Sequence, residues 1–536
     1  MRSKTKTLTG VAVVAALVLS ACSGQNGDSD DAELDLPDGY AAYDDPSADS
    51  AGGTLSMQLD YDTAETGGLD PATAEIARSW TIMGLVYESL VSIGPDFEIE
   101  PELASSWEQP DETTYVFDLQ PDATFSNGRP VSADDVVGSF ERLLEMAALW
   151  AGQLGPIESI ENTSEGDAQQ VTITLERPYT PLLAALANTP AAILPMEELE
   201  AGDFDPAEEM LGSGAFSVAD HRQDEYWVFE ANQEWWNADS LGVDELRIEI
   251  SGDDQTRLAG LRDGSSQFSN FSNPDALSLL ESAQGVTAAS QTQSDFFYLM
   301  FNALGDSAMA DQETRQLVNA AIDREQLVDV ALAGAAVPTG VTPANLPDAC
   351  SAETLQSATT EVEAGALEGM ALSLLVYNSD PSLVAIGQVV QQQLEAAGAT
   401  VELESLDYGS YADRVYTAQP GQFDLALGWF AGYADPSMVT SWWDPDTAIF
   451  NAGFMESHDD LNAAIEEARG LEPGEERAAA LQTVCELVDD YSEMVPLATR
   501  PQVVGYRSDS LGITLLSDEG YGDFLRGIVD FRMLES

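Results

Sequence analysis

The sequence predicts an α/β protein of two or three domains, on three observations. The chain has 536 residues, more than a single hydrophobic core serves well. Leu372–Tyr377 is an apolar run of strand length, Leu383, Ile386, Val390 and Leu394 then share one helical face ended by Gly398, and Val401–Leu406 is a second strand. That is a βαβ unit of the kind that builds parallel sheets. Two more apolar runs, Phe296–Asn302 and Phe423–Phe430, have strand length; Gly421 and Gly432 punctuate the second, which reads as a buried strand. Hydrophobic content of 44% and aromatic content of 8% suffice to fill such cores.

The N-terminus sets the compartment. Arg2, Lys4 and Lys6 form a positive segment and Leu8–Leu19 an apolar one too short for a comfortable membrane span. The following Leu19-Ser20-Ala21-Cys22 resembles the lipobox of bacterial lipoproteins, which implies cleavage and diacylation at Cys22; a plain secretory signal is the alternative. Residues 23–52 are acidic and rich in Gly, Ser and Asp. They bury too little surface to fold and read as a tether of about thirty residues, at up to ~3.4 Å each.

The folded body begins with the alternating strand around Leu55, Met57 and Leu59, followed by a loop through Tyr61 and Asp62. Thr73–Leu90 reads as a helix. Thr114–Leu119 alternates as one arm of a hairpin, and Ser132 with Asp135 opens a helix whose apolar face holds Val136, Val137, Phe140, Leu143 and Leu144. Gly212–Val218 and Tyr226–Glu230 form another hairpin, ending in Trp235 and Trp236. Thr314–Ala333 is helical, in two pieces; Ala463–Val488 is helical around a break at Glu472-Pro473-Gly474.

Charge excludes whole classes of function. Against 94 Asp and Glu stand 20 Lys and Arg, a formal charge of -74, and such a surface repels nucleic acid and anionic lipid. The chain also repels itself, which salt relieves. With Cys22 lipidated, Cys350 and Cys485 remain, and an oxidising compartment favours a disulfide between them over two buried thiols. No catalytic constellation emerges. Pairs such as Asp134 with Asp135 or Glu466 with Glu467 arise readily in so acidic a chain; Asp134 and Asp135 suit a helix N-terminus. His221, in an acidic turn, reads as exposed, and His458 is the only other histidine, so a multi-histidine metal site is not expected. Gly212-Ser213-Gly214-Ala215 lacks the lysine of a phosphate loop. No cofactor, metal or catalytic residue is therefore assigned. A lipid-anchored glycoside hydrolase is the alternative from another class.

Glu102–Leu144, with Leu103, Trp107, DETTYVFDL, FSNGRPVSADDV and Phe140, resembles the signature of the solute-binding proteins of ABC importers in the peptide, dipeptide and nickel class. Gly212–Phe216 with EANQEWW, Tyr298–Gly334, FDLALGWFAGYADP and Val495–Tyr506 continue that resemblance in order. It implies a two-lobed clamshell of the class II periplasmic-binding-protein type. The first lobe would be residues 53–293 plus 499–536, with an inserted subdomain at about 75–185, and the second lobe 294–498. It also implies a monomeric receptor, on the outer face of the cytoplasmic membrane, that hands a small molecule or peptide to a permease driven by an ATPase.

The same resemblance makes Phe423–Trp443 the ligand wall. Peptide-binding members pair backbone groups, here Gly428 to Phe430, with an extended ligand, and hold its ammonium on an aspartate whose place falls on Gly432. Either Asp435 substitutes for it, or the ligand lacks a free amine. The expected contacts are Tyr61 and Asp62 from the first lobe, with Gly428, Trp429, Phe430, Asp435, Trp442 and Tyr408 from the second; if Trp442 and Trp443 lie on a strand, one of them faces the core. Peptide is the default ligand, with opine-like conjugates, metal chelates and oligosaccharides as the other members of the class.

Overall fold

In the computed structural model, the βαβ unit forms as the sequence predicts. Ala371–Tyr377, the helix Pro381–Ala396 and Thr400–Leu406 follow in order, and the two strands pair in parallel. The structure describes residues 40–43 and 52–534, apart from residues 64–67, 75–76, 95–96, 147–148, 167, 272, 344–345, 351, 446–447, 517, 520–524 and 526. Cys22 and the tether apart from residues 40–43 and 52 lie outside the described residues. Among the described residues no helix is long and apolar enough to cross a membrane.

The unit is one edge of a five-stranded sheet, ordered Thr400–Leu406, Ala371–Tyr377, Leu425–Phe430, Phe296–Phe301 and Met494–Thr499. The first three run parallel, and Phe296–Phe301 lies antiparallel between Leu425–Phe430 and Met494–Thr499. All six residues of Phe296–Phe301 are buried. Covering both faces of a strand removes the need for alternation, so FFYLMF is apolar throughout. A disulfide joins Cys350 to Cys485, with Cα atoms 6.5 Å apart, and so ties the loop before the βαβ unit to the helix Glu475–Tyr491.

A second, eight-stranded sheet is ordered Asp518–Glu519, Thr287–Gln293, Gln502–Tyr506, Phe268–Phe271, Thr54–Leu59, Glu245–Ile250, Tyr226–Ala231 and Phe216–Arg222. A four-stranded antiparallel sheet, Ala104–Asp111, Thr114–Leu119, Gln170–Leu175 and Ile157–Asn162, forms the insert. Its helix Ala133–Glu145 opens with the expected capping box of Ser132 and Asp135. Arg129 pairs both nitrogens with the Asp135 carboxylate, at 2.9 and 2.8 Å; Asp135 is a structural anchor.

Three local expectations are corrected. Within Thr73–Leu90 the helix is only Ala77–Met83, because the carbonyls of Leu85 and Val86 are taken by Phe216 N and Gly214 N. Residues 40–43, expected in the tether, pair antiparallel with Leu516–Thr514; Tyr40-Ala41-Ala42-Tyr43 is an uncharged patch in an otherwise acidic stretch. His221 is not exposed: its side chain is 20% accessible and stacks on Trp227 with centroids 3.4 Å apart.

Candidate functional site

The chain passes between the two large sheets twice. Thr287–Gln293 belongs to the eight-stranded sheet and Phe296–Phe301 to the five-stranded one; Met494–Thr499 and Gln502–Tyr506 make the return. The crossings touch, Arg500 N donating to Asp295 O at 2.7 Å. The strand registers then fix which ends face this hinge. Phe430 lies opposite Phe296, so Leu425–Phe430 ends at the hinge, and its parallel neighbours end on the same side. In the other sheet Phe271 pairs with Val503, so Phe268–Phe271 and the parallel Thr54–Leu59 also end there. Both sheets thus present carboxyl ends of parallel strands to one crevice, the usual ligand position in open α/β sheets.

On the five-stranded side, Leu425–Phe430 is paired with Phe296–Phe301 along its whole length but with Ala371–Tyr377 only at Leu425 and Ala426. Beyond Ala426 these two parallel strands splay, and residues 427–430 have one backbone edge outside the strand ladder. Tyr411 Oη donates to Leu427 O at 2.6 Å within that gap. Aromatic rings hold it open: Tyr377 packs edge-on against Tyr408 and Tyr411, and Tyr298 Oη lies 3.1 Å from Tyr416 Oη and its ring 4.3 Å from Phe430. Burial pushes the Tyr298 and Tyr411 phenols well above their ordinary range, so both stay protonated and neutral. Tyr408 is 57% exposed, the one large exposed ring of this cluster. Gly428 makes room for it all, since a Cβ there would lie 2.6 Å from Tyr298 Oη.

At the hinge, Gly432 N donates to Asp295 Oδ1 at 2.8 Å. A Cβ on Gly432 would lie 2.0 Å from Ser294 O, so no aspartate fits at this position. Burial raises the Asp295 carboxyl to about 6, against the pull of Arg500 and the Gly432 amide. The Arg500 guanidinium stacks 4.3 Å over Trp429 and lies 3.7 Å from Asp380.

Asp435 does not replace the missing aspartate. Its Oδ1 caps the helix Pro436–Val439, accepting from Ser437 N at 2.8 Å and from the Ser437 hydroxyl, while Oδ2 pairs with Arg477 at 2.7 Å. Both oxygens serve the second lobe. Trp442 and Trp443 lie on a 3₁₀ turn rather than a strand, and both are buried. Trp442 stacks behind Phe430 at 4.3 Å; Trp443 enters the core and donates to Met494 O at 2.8 Å. Trp442 therefore backs the wall without forming its surface.

From the first lobe, Tyr61 is half-buried beneath Arg78, whose guanidinium carbon lies 5.0 Å from the ring centroid. Asp62 is turned inward. Its carboxylate is 1% accessible and accepts from Trp227 Nε1 at 2.6 Å and Asp224 N at 2.7 Å. Burial pushes its pKa up, but hydrogen bonds from His221, Trp227 and two backbone amides outweigh that and leave it below its ordinary value. Asp62 pins the loop that places Tyr61. The insert closes the other side: Trp150 packs between Trp80 and Tyr433, Gln153 reaches Tyr433 and Ser441, and Thr180 N donates to Arg469 O at 2.9 Å. These contacts join the insert to the second lobe.

The residues missed in the sequence are Asp295, Arg500, Arg78, Trp80, Trp150 and Tyr433. Only Tyr433 sat inside the stretch singled out; the others converge from distant segments and share no local pattern. One group of metal-ligand type exists among the described residues, Glu456, His458 and Glu493, with ligand atoms within 4.8 Å of one another. It lies at the end of the five-stranded sheet away from the hinge, where Glu493 is already paired with His458 at 3.2 Å and faces Arg315 at 3.6 Å.

A family model described as bacterial extracellular solute-binding proteins, family 5 Middle, matches residues 98–451. A probable D,D-dipeptide-binding periplasmic protein, DdpA of Escherichia coli K12, is 27% identical over 396 residues, covering 70% of this chain and 75% of its own. Among solved structures, DppA of Helicobacter pylori in complex with the peptide STSA superposes with a TM-score of 0.75 at 22% identity, over 91% of this chain and 99% of that one. AgaA of A. tumefacien R10 in complex with agropinic acid does so with a TM-score of 0.75 at 20% identity, over 90% and 99%. At these identities the two structures establish the shared fold.

Proposed function

The chain belongs to the bacterial extracellular solute-binding proteins of family 5, and from that premise we propose that it captures an oligopeptide or peptide-like compound for an ABC importer. It is a receptor, not an enzyme. Ligand bound in the crevice bridges the lobes, favours the closed arrangement, and is passed to the permease. A lipid on Cys22 would hold the receptor at the membrane.

The observation that carries this reading is the splayed edge at residues 428–430, beyond the Leu427 carbonyl that Tyr411 occupies. An extended chain placed there completes a backbone ladder on one side of Leu425–Phe430, with Trp429 and Tyr408 offering side-chain surface and Tyr61 facing from the other lobe. Lobe closure shields those hydrogen bonds from water. A non-peptide ligand is the second reading, favoured by the lack of an accessible carboxylate for an amine at Gly432 or Asp435. Thermal unfolding with tripeptide and oligosaccharide panels tests both. A saturable rise in Tm without consumption of the compound, lost in Trp429→Ala, supports the receptor; turnover of any compound contradicts it.

A further inference from the structure

Arg78 stands out in a chain with 94 Asp and Glu against 20 Lys and Arg. It is half-buried on the helix Ala77–Met83, yet among the described residues it has no carboxylate partner and no hydrogen bond, only the face of Tyr61 at 5.0 Å. Every other buried or half-buried arginine among them reaches a carboxylate at ion-pair distance or, for Arg324, the carbonyl of Pro496 and the side-chain oxygen of Asn319. Acidic groups are abundant everywhere else, so the gap at Arg78 is a local feature of the crevice. A ring face offers a guanidinium only part of what an oxyanion offers, because it cannot accept the fork of N–H donors.

Four carboxylates beside the crevice point the same way; a fifth, the half-buried Asp60, accepts from Asn270 Nδ2 at 2.7 Å. Asp295 is 1% exposed and holds Gly432 N. Asp380 caps Ser382 and Leu383 and faces Arg500. Asp62 and Asp435 are consumed inside their own lobes. None of the four is accessible to an incoming ammonium, whereas Arg78, a cation without an ionic partner among the described residues, lies close enough to the hinge for its charge to be felt at Asp295. Such a fixed cation also offsets the repulsion that a -74 surface exerts on an anionic ligand.

We propose that Arg78 anchors an oxyanion of the ligand, a carboxylate in the first instance, at the first-lobe end of the crevice. The inference rests on the receptor reading above and adds the ligand's charge to it. A peptide supplies the group through its C-terminus or through an acidic side chain, and an acidic conjugate supplies it directly.

Affinity selection from a mixed library separates these cases. The library holds tripeptides with free or amidated C-termini, with free or acetylated amines, and with or without Asp and Glu, together with neutral oligosaccharides. The wild-type protein is expected to retain carboxylate-bearing members over matched neutral amides by on the order of tenfold or more, the scale of one charge-assisted hydrogen-bond pair. Arg78→Gln removes that preference and Arg78→Lys restores part of it, each variant being checked for an unchanged unfolding transition. Retention of acidic C-amides marks the side chain as the source, and retention of free acids without Asp or Glu marks the terminus. Equal retention of acid and amide by the wild-type protein overturns the anion anchor and leaves the receptor intact; this comparison needs no variant. Retention of no member contradicts the receptor reading, and the anchor with it.

Discussion

One glycine and one ion pair show how closely the wall is specified. Gly432 has no room for a side chain, because Ser294 O would lie 2.0 Å from its Cβ. Gly432→Asp, the residue expected from peptide-binding relatives of this type, should therefore lower stability in urea by at least ~1–3 kcal/mol rather than create an ammonium site. Arg477 and Asp435 form a pair 2.7 Å apart with side chains 2% and 12% accessible. Arg477 also pairs with Asp348 at 3.0 Å, so Arg477→Met, which strands the Asp435 charge, should cost about 3–5 kcal/mol, and Asp435→Ala, which leaves Arg477 its second carboxylate, should cost less. The sequence made the importance of these positions legible but not their roles. Asp435 before Pro436 is readable both as a ligand carboxylate and as a turn residue, and only the distant Arg477 decides for the second. Asp62 hides its role for the same reason: its partners Asp224 and Trp227 are far away in the chain.

The elements were more legible than the residues. The apolar strands, the βαβ unit and the capping box at Ser132 depend on local pattern, and they formed where expected. The short helix Ala77–Met83 and the 3₁₀ turn at Trp442 depend on contacts with remote backbone, and they did not. The splay beyond Ala426 is likewise invisible in sequence, being a relation between two strands. If a peptide fills it, N-methylating the ligand amide that faces residues 428–430 should weaken binding about fivefold per lost hydrogen bond, near 1 kcal/mol, while methylating an outward amide should not. At the crossing, Asp295 has its pKa raised from 3.8 to about 6 by burial. Below 3.8 both folded and unfolded chains carry the proton; between there and about 6 only the unfolded chain has lost it, so folding stability falls as pH rises through that window and levels off above it. Relative to Asp295→Asn, the wild-type protein should lose roughly 3 kcal/mol between pH 3.5 and pH 7, read from urea curves at each pH. The disulfide links residues 135 apart, and replacing both cysteines with serine should lower stability by about 2–5 kcal/mol.

For the whole molecule, charge and lobe arrangement set the behaviour. A formal charge of -74 destabilises any compact state, so Tm should climb as salt is raised from 0.01 to about 0.15 M, where the Debye length falls from about 30 to 8 Å. Length and composition foretold more than one core. The ordered motifs foretold two lobes, and the paired crossings at residues 294–295 and 500–501 are what joins the two sheets. Ligand identity was not legible, because it depends on which polar groups remain unsatisfied after folding, and Arg78 is such a group only in three dimensions. The most direct measurement is native mass spectrometry of the protein purified from its own host, before and after denaturation. A single acidic small molecule or peptide, released in one-to-one amount and chemically unaltered, is the expected result. A protein that carries nothing, binds none of its host's extracellular solutes, or returns them cleaved would contradict a receptor closed on its cargo.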